Sequence, residues 1–326
     1  MKSSKIEISL KTIFFTVLFL ILIYFLFAIR DILLLIFISL ICMSALSPLV
    51  DRLEQKRIPR AVGILFFYVL IWGFISFGVA ALVPPLVEQT TRIINILPQG
   101  IEQITQGRYN LQLFEPQLNA LPQQLLQIAV VAFNNVLGLF TFMVILFYLI
   151  MERANLKYYL TFLFGESNQE KHAEIFVNKL EQKLGSWVRG ELILMLIVGL
   201  MSYIGLMFLG IEFAIPLAFL AGLLEIVPNI GPTVAAIPAI LVALGHSPVL
   251  ALAVTALYFL IQQLENNFIV PKVMSRAVGL SPLVVIISLL IGLKIAGLAG
   301  AILAVPAVLL LEMVVNDIYR AHFKNR

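Results

Sequence analysis

Residues Ile215 to Leu244 read IPLAFLAGLLEIVPNIGPTVAAIPAILVAL, two apolar arms separated by Glu225, Pro228, Asn229, Gly231 and Pro232. Neither arm reaches the roughly 20 apolar residues that an untilted transmembrane helix needs. The break carries a carboxylate, an amide and backbone groups freed from helical hydrogen bonding. Such backbone is tolerated at membrane depth only where protein buries it or where it lines a watery cavity. Paired discontinuous segments also point to the binding site of a membrane transporter, so the broken hairpin, taken with its flanks as residues 212–245, is the candidate working part of the chain.

Composition agrees. Of 326 residues, 61% are hydrophobic and 12% charged, and mean hydropathy is +1.03, whereas soluble domains carry about 25% charged residues. The fold class expected is all-α: a polytopic integral membrane protein of about eight membrane segments, two of them broken hairpins, with added amphipathic helices. The net charge of +4 does not indicate nucleic acid, because the basic residues are dispersed at segment ends instead of gathered on one face. Cys42 is the single cysteine, which excludes an intrachain disulfide and a cysteine metal cluster.

In chain order, spans one and two cover Thr12–Ile29 and Ile32–Val50, hinged at Arg30 and Asp31. The first is too long for a secretory h-region and no small-x-small cleavage site follows it. A third span runs from Ala61 to Val83, where Pro84 and Pro85 stop it. Residues 86–127 form a polar loop, and a fourth span covers Ile128–Met151. Residues 152–190 carry an amphipathic helix in which Ala173, Phe176, Val177, Leu180, Leu184, Trp187 and Val188 recur at helical spacing. It is expected on the membrane surface or against the bundle, with Ser167 and Glu170 as a capping box. Span five (Leu192–Leu209), the first hairpin, a span from Pro248 to Leu264 and a second broken pair (residues 281–312, interrupted near Lys294 and Gly297) complete the membrane part. The organisation is thus 1–151 with external loop 86–127, a cytoplasmic amphipathic helix in 152–190, a transport core in 191–318 and a cytoplasmic tail in 319–326.

Basic residues orient the chain. Loop 51–60 holds four and residues 152–190 hold six, while 86–127 holds only Arg92 and Arg108; the first two belong on the cytoplasmic side. Both termini are then cytoplasmic and the two hairpins enter from opposite faces. Pro216, Leu217, Leu223 and Leu224 match Pro282, Leu283, Leu289 and Leu290 at identical offsets, and Ala236–Leu241 is similar to Ala304–Leu309. This is either an inverted repeat or chance similarity among few residue types.

Glu225 is the leading site residue, because intramembrane ionisable groups are functional by default; the plainer alternative is a carboxylate capping amides near Asn229 and Gly231. Gln262, Glu265 and Asn266 either hold a polar solute or cation by side-chain oxygens or mark where a helix leaves the bilayer. Glu265 is expected to be screened by water. Lys294 either pairs with Glu225 or Glu265 or snorkels to an aqueous surface. Glu191, Glu212 and Glu312 read as boundary charges, and no histidine has a second ligand at metal spacing.

An enzyme is not indicated. H-E-x-x-H, G-x-S-x-G and the P-loop are absent, the only aspartates (Asp31, Asp51, Asp317) lie at span ends, and no cofactor motif is present.

Four blocks carry a resemblance: Pro48-Leu49-Val50 with Leu53 and Pro59-Arg60; Val83 to Gln89; Glu225-Ile226-Val227-Pro228-Asn229-Ile230-Gly231-Pro232; and Gln263 to Pro271 with Gly279-Leu280-Ser281-Pro282. In order and spacing the chain resembles the autoinducer-2 exporter family, or PerM-type permeases, over almost its whole length. The resemblance implies a multi-pass protein of the bacterial inner membrane and a homo-oligomer, with pentamers described in the family. It implies export of a small polar solute such as the quorum-sensing molecule autoinducer-2, with Na+(Li+)/H+ antiport as the alternative. A non-transporting scaffold or a channel is a further alternative. The implied partners are the solute, H+ or Na+, and the lipid bilayer.

Overall fold

The computed structural model describes residues 10–78, 136–156, 169–228, 230–274 and 279–323, with isolated positions 80, 84, 87 and 158. Loop 86–127, the capping box at Ser167 and residue Asn229 lie outside or nearly outside these residues. The described chain is helical: α1 (Leu10–Ala28), α2 (Arg30–Gln55), α3 (Arg60–Gly78), α4 (Val136–Met151), α5 (Gln169–Phe208), α6 (Ala214–Leu224), α7 (Gly231–Leu244), α8 (Pro248–Leu264), a π-helical turn (Glu265–Ile269), α9 (Val270–Met274) and α10 (Pro282–Phe323). Six helical stretches among these residues are long and apolar enough to cross a membrane. The chain is an all-α polytopic membrane protein.

Where they fall in the described residues the span boundaries follow hydropathy (the expected end of span three at Val83 and start of span four at Ile128 lie outside them), but two elements continue where the sequence suggested breaks. The amphipathic helix of 152–190 and span five are one rod, the 40-residue α5, about 60 Å long at 1.5 Å per residue. Its lower apolar face is clothed by protein: Phe176, Leu180, Leu184 and Trp187 pack with Ile41 of α2 and Leu303, Val305, Leu309 and Met313 of α10. Of the two expected placements, the bundle therefore holds this face. Likewise the polar stretch after Leu264 stays helical through the π turn into α9.

Both hairpins are present as helical pairs. The arms of the first, α6 and α7, have 11 and 14 residues, about 16 and 21 Å against a hydrocarbon core of about 30 Å. The second is α10 itself, which kinks at Ala296 and at Gly297, where φ is 59°, a value that favours glycine. Its arms cross so closely that a Cβ on Gly292 would stand 2.2 Å from the Gly300 carbonyl oxygen. In lipid, small residues allow the backbone approach that van der Waals packing between helices requires. The same device joins α5 to α6, where an added Cβ on Gly222 would lie 2.6 Å from the Met195 oxygen.

An ion network ties the lower ends of four elements. Arg153, in the short 3-10 turn Arg153–Asn155 after α4, donates to Glu181 of α5 from Nε (2.6 Å) and Nη2 (2.5 Å) and also bonds Asp51 of α2. Arg60 of α3 reaches the same Asp51 at 3.3 Å. The hydrogen bonds to Glu181, then the charges of Glu181 and Asp51, hold the Arg153 guanidinium in its charged form. Above this clasp the Tyr68 hydroxyl donates to the Met143 carbonyl at 2.7 Å, joining α3 to α4.

Two stability outcomes follow from these contacts. Gly231 is buried against Leu224, whose carbonyl oxygen would stand 1.9 Å from an added Cβ, while Gly73 has nothing within 4 Å. Gly231→Ala is expected to lower the apparent melting temperature in detergent, and Gly73→Ala to leave it unchanged or raise it, by up to about 1 kcal/mol. Equal melting of the two variants would contradict the close contact. Arg153→Ala strands Glu181 while Asp51 keeps Arg60, and is expected to cost about 2 kcal/mol, between the surface and buried limits for ion pairs. The exposed pair Lys183–Glu312, 3.1 Å apart, supplies the comparison: Lys183→Ala should cost less than about 1 kcal/mol.

Candidate functional site

Glu225 stands at the C-terminal end of α6, on the last helical turn before the break. It is fully buried, at 0% exposure, and neither carboxylate oxygen has a hydrogen-bond partner. The capping alternative is thereby excluded: Glu225 does not accept from the amides near Gly231. Those amides are satisfied locally, Gly231 N–H by the Val227 carbonyl (2.9 Å), Val227 N–H by Leu224 (3.1 Å) and Ile230 N–H by Pro228 (2.8 Å). The break is a tightly bonded turn, closed by a glycine that admits no side chain. What it leaves unsatisfied is the carboxylate.

Two further carboxylates face it. Glu265 opens the π turn that follows α8 and is 1% exposed. It accepts from Gln262 Nε2 at 3.4 Å and lies in reach of Glu225. The water screening expected of Glu265 is therefore corrected, because the π turn directs this residue inward while Asn266 and Asn267 after it are exposed. π turns of this kind occur often at functional sites. Glu191, read from sequence as a boundary charge, is 4% exposed on α5 with both oxygens unpartnered, and it lies within electrostatic range of Glu225 and Glu265. Three elements, α5, α6 and the π turn, thus each bring one buried carboxylate to the same place.

Among the described residues no fixed cation pairs with them. Lys294 is exposed, one turn before the kink of α10, and the pairing with Glu225 or Glu265 is not made, since Glu225 has no partner and Glu265 bonds Gln262. Arg189 is exposed and donates to Ser186 at 3.2 Å, and Lys272 is exposed on α9. The other expected site residues divide: Gly231 and Pro232 are buried, Pro228 and Gln262 are half-buried, Asn266 is exposed, and Asn229 lies outside the described residues. Among the described residues these groups do not form a metal-binding set.

The two hairpins do meet, but by dry contact. Val227 in the break packs with Leu289, Ala301 and Ala304 of α10. The carboxylates lie instead along the contact of α5, α6 and α8. Chemically, an interior set of oxygens without a counter-charge costs several kcal/mol per ionised group, a cost that a proton or a small cation removes. Glu191 was missed because the apolar run in the sequence starts after it. The signal that could have found it is the helical period linking Trp187, Glu191, Leu194 and Val198, all buried.

The chain matches the family described as AI-2E family transporter over residues 13–320. It is 28% identical to YrrI of Bacillus subtilis over 302 residues, which cover 87% of this chain and 85% of that protein. It is equally identical to YhhT of Escherichia coli K12 over 295 residues, 86% of this chain and 82% of that protein. YueF of Bacillus subtilis is 28% identical over 79% of this chain and 76% of its own length. The names of all three class them provisionally as transport proteins and state no substrate. With its six long apolar helices and a family match over nearly its whole length, the chain belongs to the AI-2E family of membrane transporters.

Proposed function

We propose that the chain moves a small polar solute, such as an autoinducer-2-like signalling molecule, across the bacterial inner membrane, and that protons or Na+ drive the movement. The observation that carries this reading is the set of three buried carboxylates that have no cation partner among the described residues, the oxygens of two of them lacking a hydrogen-bond donor there. Residues 191–318 act as the transport core in this reading. Both hairpins re-enter from opposite faces, which the short arms of α6 and α7 and the sharp kink in α10 support. The apolar outer surface of α1, exposed along its length, suits lipid or a second copy of the chain in a homo-oligomer. The second reading, cation/proton antiport without a solute, is favoured by the same carboxylates. Solute uptake into proteoliposomes with and without a Na+ or proton gradient separates the two, and gradient-independent passage of solute would remove ion coupling from the first.

Burial of Glu265 as deep as that of Glu225 changes what substitution should do. Glu225→Gln and Glu265→Gln are each expected to lower flux by at least about tenfold, the scale of a lost interaction with a charged group. Asn267→Ala, exposed and bonded only to Gln263, should transport as the unaltered protein does. Normal flux in both glutamine variants at equal reconstitution would dismiss the carboxylate site.

Orientation is tested separately. In a Cys42→Ser background, a thiol placed at Gln103 should react with an impermeant reagent from outside, and one at Lys183 from the cytoplasmic face. Reaction of the Gln103 thiol from the cytoplasm alone would invert the topology.

A further inference from the structure

Four further buried polar side-chain atoms lack hydrogen-bond partners among the described residues: Ser47 Oγ on α2, Arg60 Nε on α3, and the Ser202 and Tyr258 hydroxyls, which lie on the seam that holds the carboxylates. Ser202 of α5 is 0% exposed and Tyr258 of α8 is 5% exposed; neither the Ser202 Oγ nor the Tyr258 hydroxyl makes a hydrogen bond, although the two side chains approach each other. Ser202 follows Glu191 by 11 residues and Tyr258 precedes Glu265 by seven. These separations are close to three turns and two turns of helix, about 16 and 10 Å, so each hydroxyl shares a helix face with its carboxylate. Because α5 and α8 run in opposite directions past each other, the hydroxyls form one polar station and Glu191, Glu225 and Glu265 another. Native structures rarely leave so many buried polar atoms unpaired, and each asks for a reason such as an ion or water.

We propose that the path of the coupling ion runs along this seam between α5, α6 and α8, with Glu191 as its cytoplasmic member and the Ser202–Tyr258 hydroxyls as its outer station, and that it does not run between the two hairpins. The inference rests on the ion-coupled reading above. Its ligand is a proton or a small monovalent cation, both of which bind to carboxylate and hydroxyl oxygen. The described hairpin contact is built of apolar side chains, Val227 with Leu289, Ala301 and Ala304, packed together. Between the two stations the seam is shut by backbone: an added Cβ on Gly199 would lie 3.5 Å from the Cα of Gly222. Passage therefore requires α6 to slide against α5.

The route is tested on the full chain in liposomes by two measurements. In a Cys42→Ser background, Ser202→Cys and Val227→Cys are exposed to Ag+, a thiol-seeking ion of nearly the size of Na+, and modification is followed by mass spectrometry. The Ser202→Cys thiol should react at least about tenfold faster, corresponding to about 1.4 kcal/mol of easier access. In the second measurement, a Na+ gradient drives proton movement reported by an internal dye; Glu191→Gln and Tyr258→Phe should lower the rate, and Glu191→Asp should recover part of it with a shifted pH profile. A reactive Val227→Cys with an inert Ser202→Cys overturns the route whatever the flux. Normal ion-driven flux in Glu191→Gln overturns the role of Glu191. If the unaltered protein shows no ion-driven flux while Ser202→Cys reacts, ion coupling fails and the seam stands as a water path, so the two failures are told apart. If Ser202→Cys does not assemble, Tyr258→Phe decides, and an unchanged rate in that variant overturns the outer station.

Discussion

A carboxylate sealed inside a membrane protein without a partner is among the costliest arrangements a chain can hold, and the structure around Glu225 is organised to hold it. The described amides of the turn after α6, those of Ile226, Val227, Ile230 and Gly231, bond to backbone carbonyls, so none of these neutralises Glu225. Gly231 lets the returning helix α7 start directly against Leu224 and Glu225, which removes the space through which solvent would screen the charge. The π turn then brings Glu265 to the same place, and Gln262 supplies one donor for three carboxylates. A buried charge network is often no more stable than its hydrophobic equivalent, so stability gives no reason for these groups, and the transport reading proposed above does.

Close backbone contact is the second constraint, and it carries the cost of the first. Helices in lipid gain little from apolar burial as such, so they associate by packing and by polar contacts. Gly185 against the Ser44 carbonyl, Gly222 against Met195 and Gly292 against Gly300 bring backbones together at three crossings. These contacts stabilise pairs of elements without locking side chains into one register. The ion clasp at Arg153 does the opposite work, since its fork geometry fixes α2, the end of α4 and α5 relative to one another.

Much of this was legible in the sequence. The span boundaries, the two hairpins and the break at Glu225 follow from hydropathy and from Pro and Gly placement, which are local properties. Glu265 was legible as a polar residue but not as a buried one, because nothing in QQLENN announces a π turn in place of a helix end. Glu191 was hidden for a tertiary reason: the apolar stretch begins after it, yet α2, α9 and α10 cover the helix below it. Gly190, for instance, faces the Met274 sulphur. The expected partner Lys294 failed for a geometric one. The kink falls at Ala296 and Gly297, which leaves the lysine exposed on the end of the first arm, and Val227 of the break packs against α10.

These constraints assign different mechanical roles to the helices around the carboxylates. The lower half of α5 is held by the Arg153 clasp and by Phe176, Leu180, Leu184 and Trp187 against α2 and α10. A continuous helix transmits that restraint upward, so Glu191 and Ser202 stand on the fixed wall of the seam. Opposite them, α6 is 11 residues long, ends in a turn, and meets α5 through Gly222 and Gly199. This arm is shorter than α5 and α8 and is bounded by turns, and any movement of it carries Glu225 along. On the ion-coupled reading proposed above, protonation or cation binding at that carboxylate would bias the position of its own helix, which is the differential interaction that coupling between an ion and a solute needs.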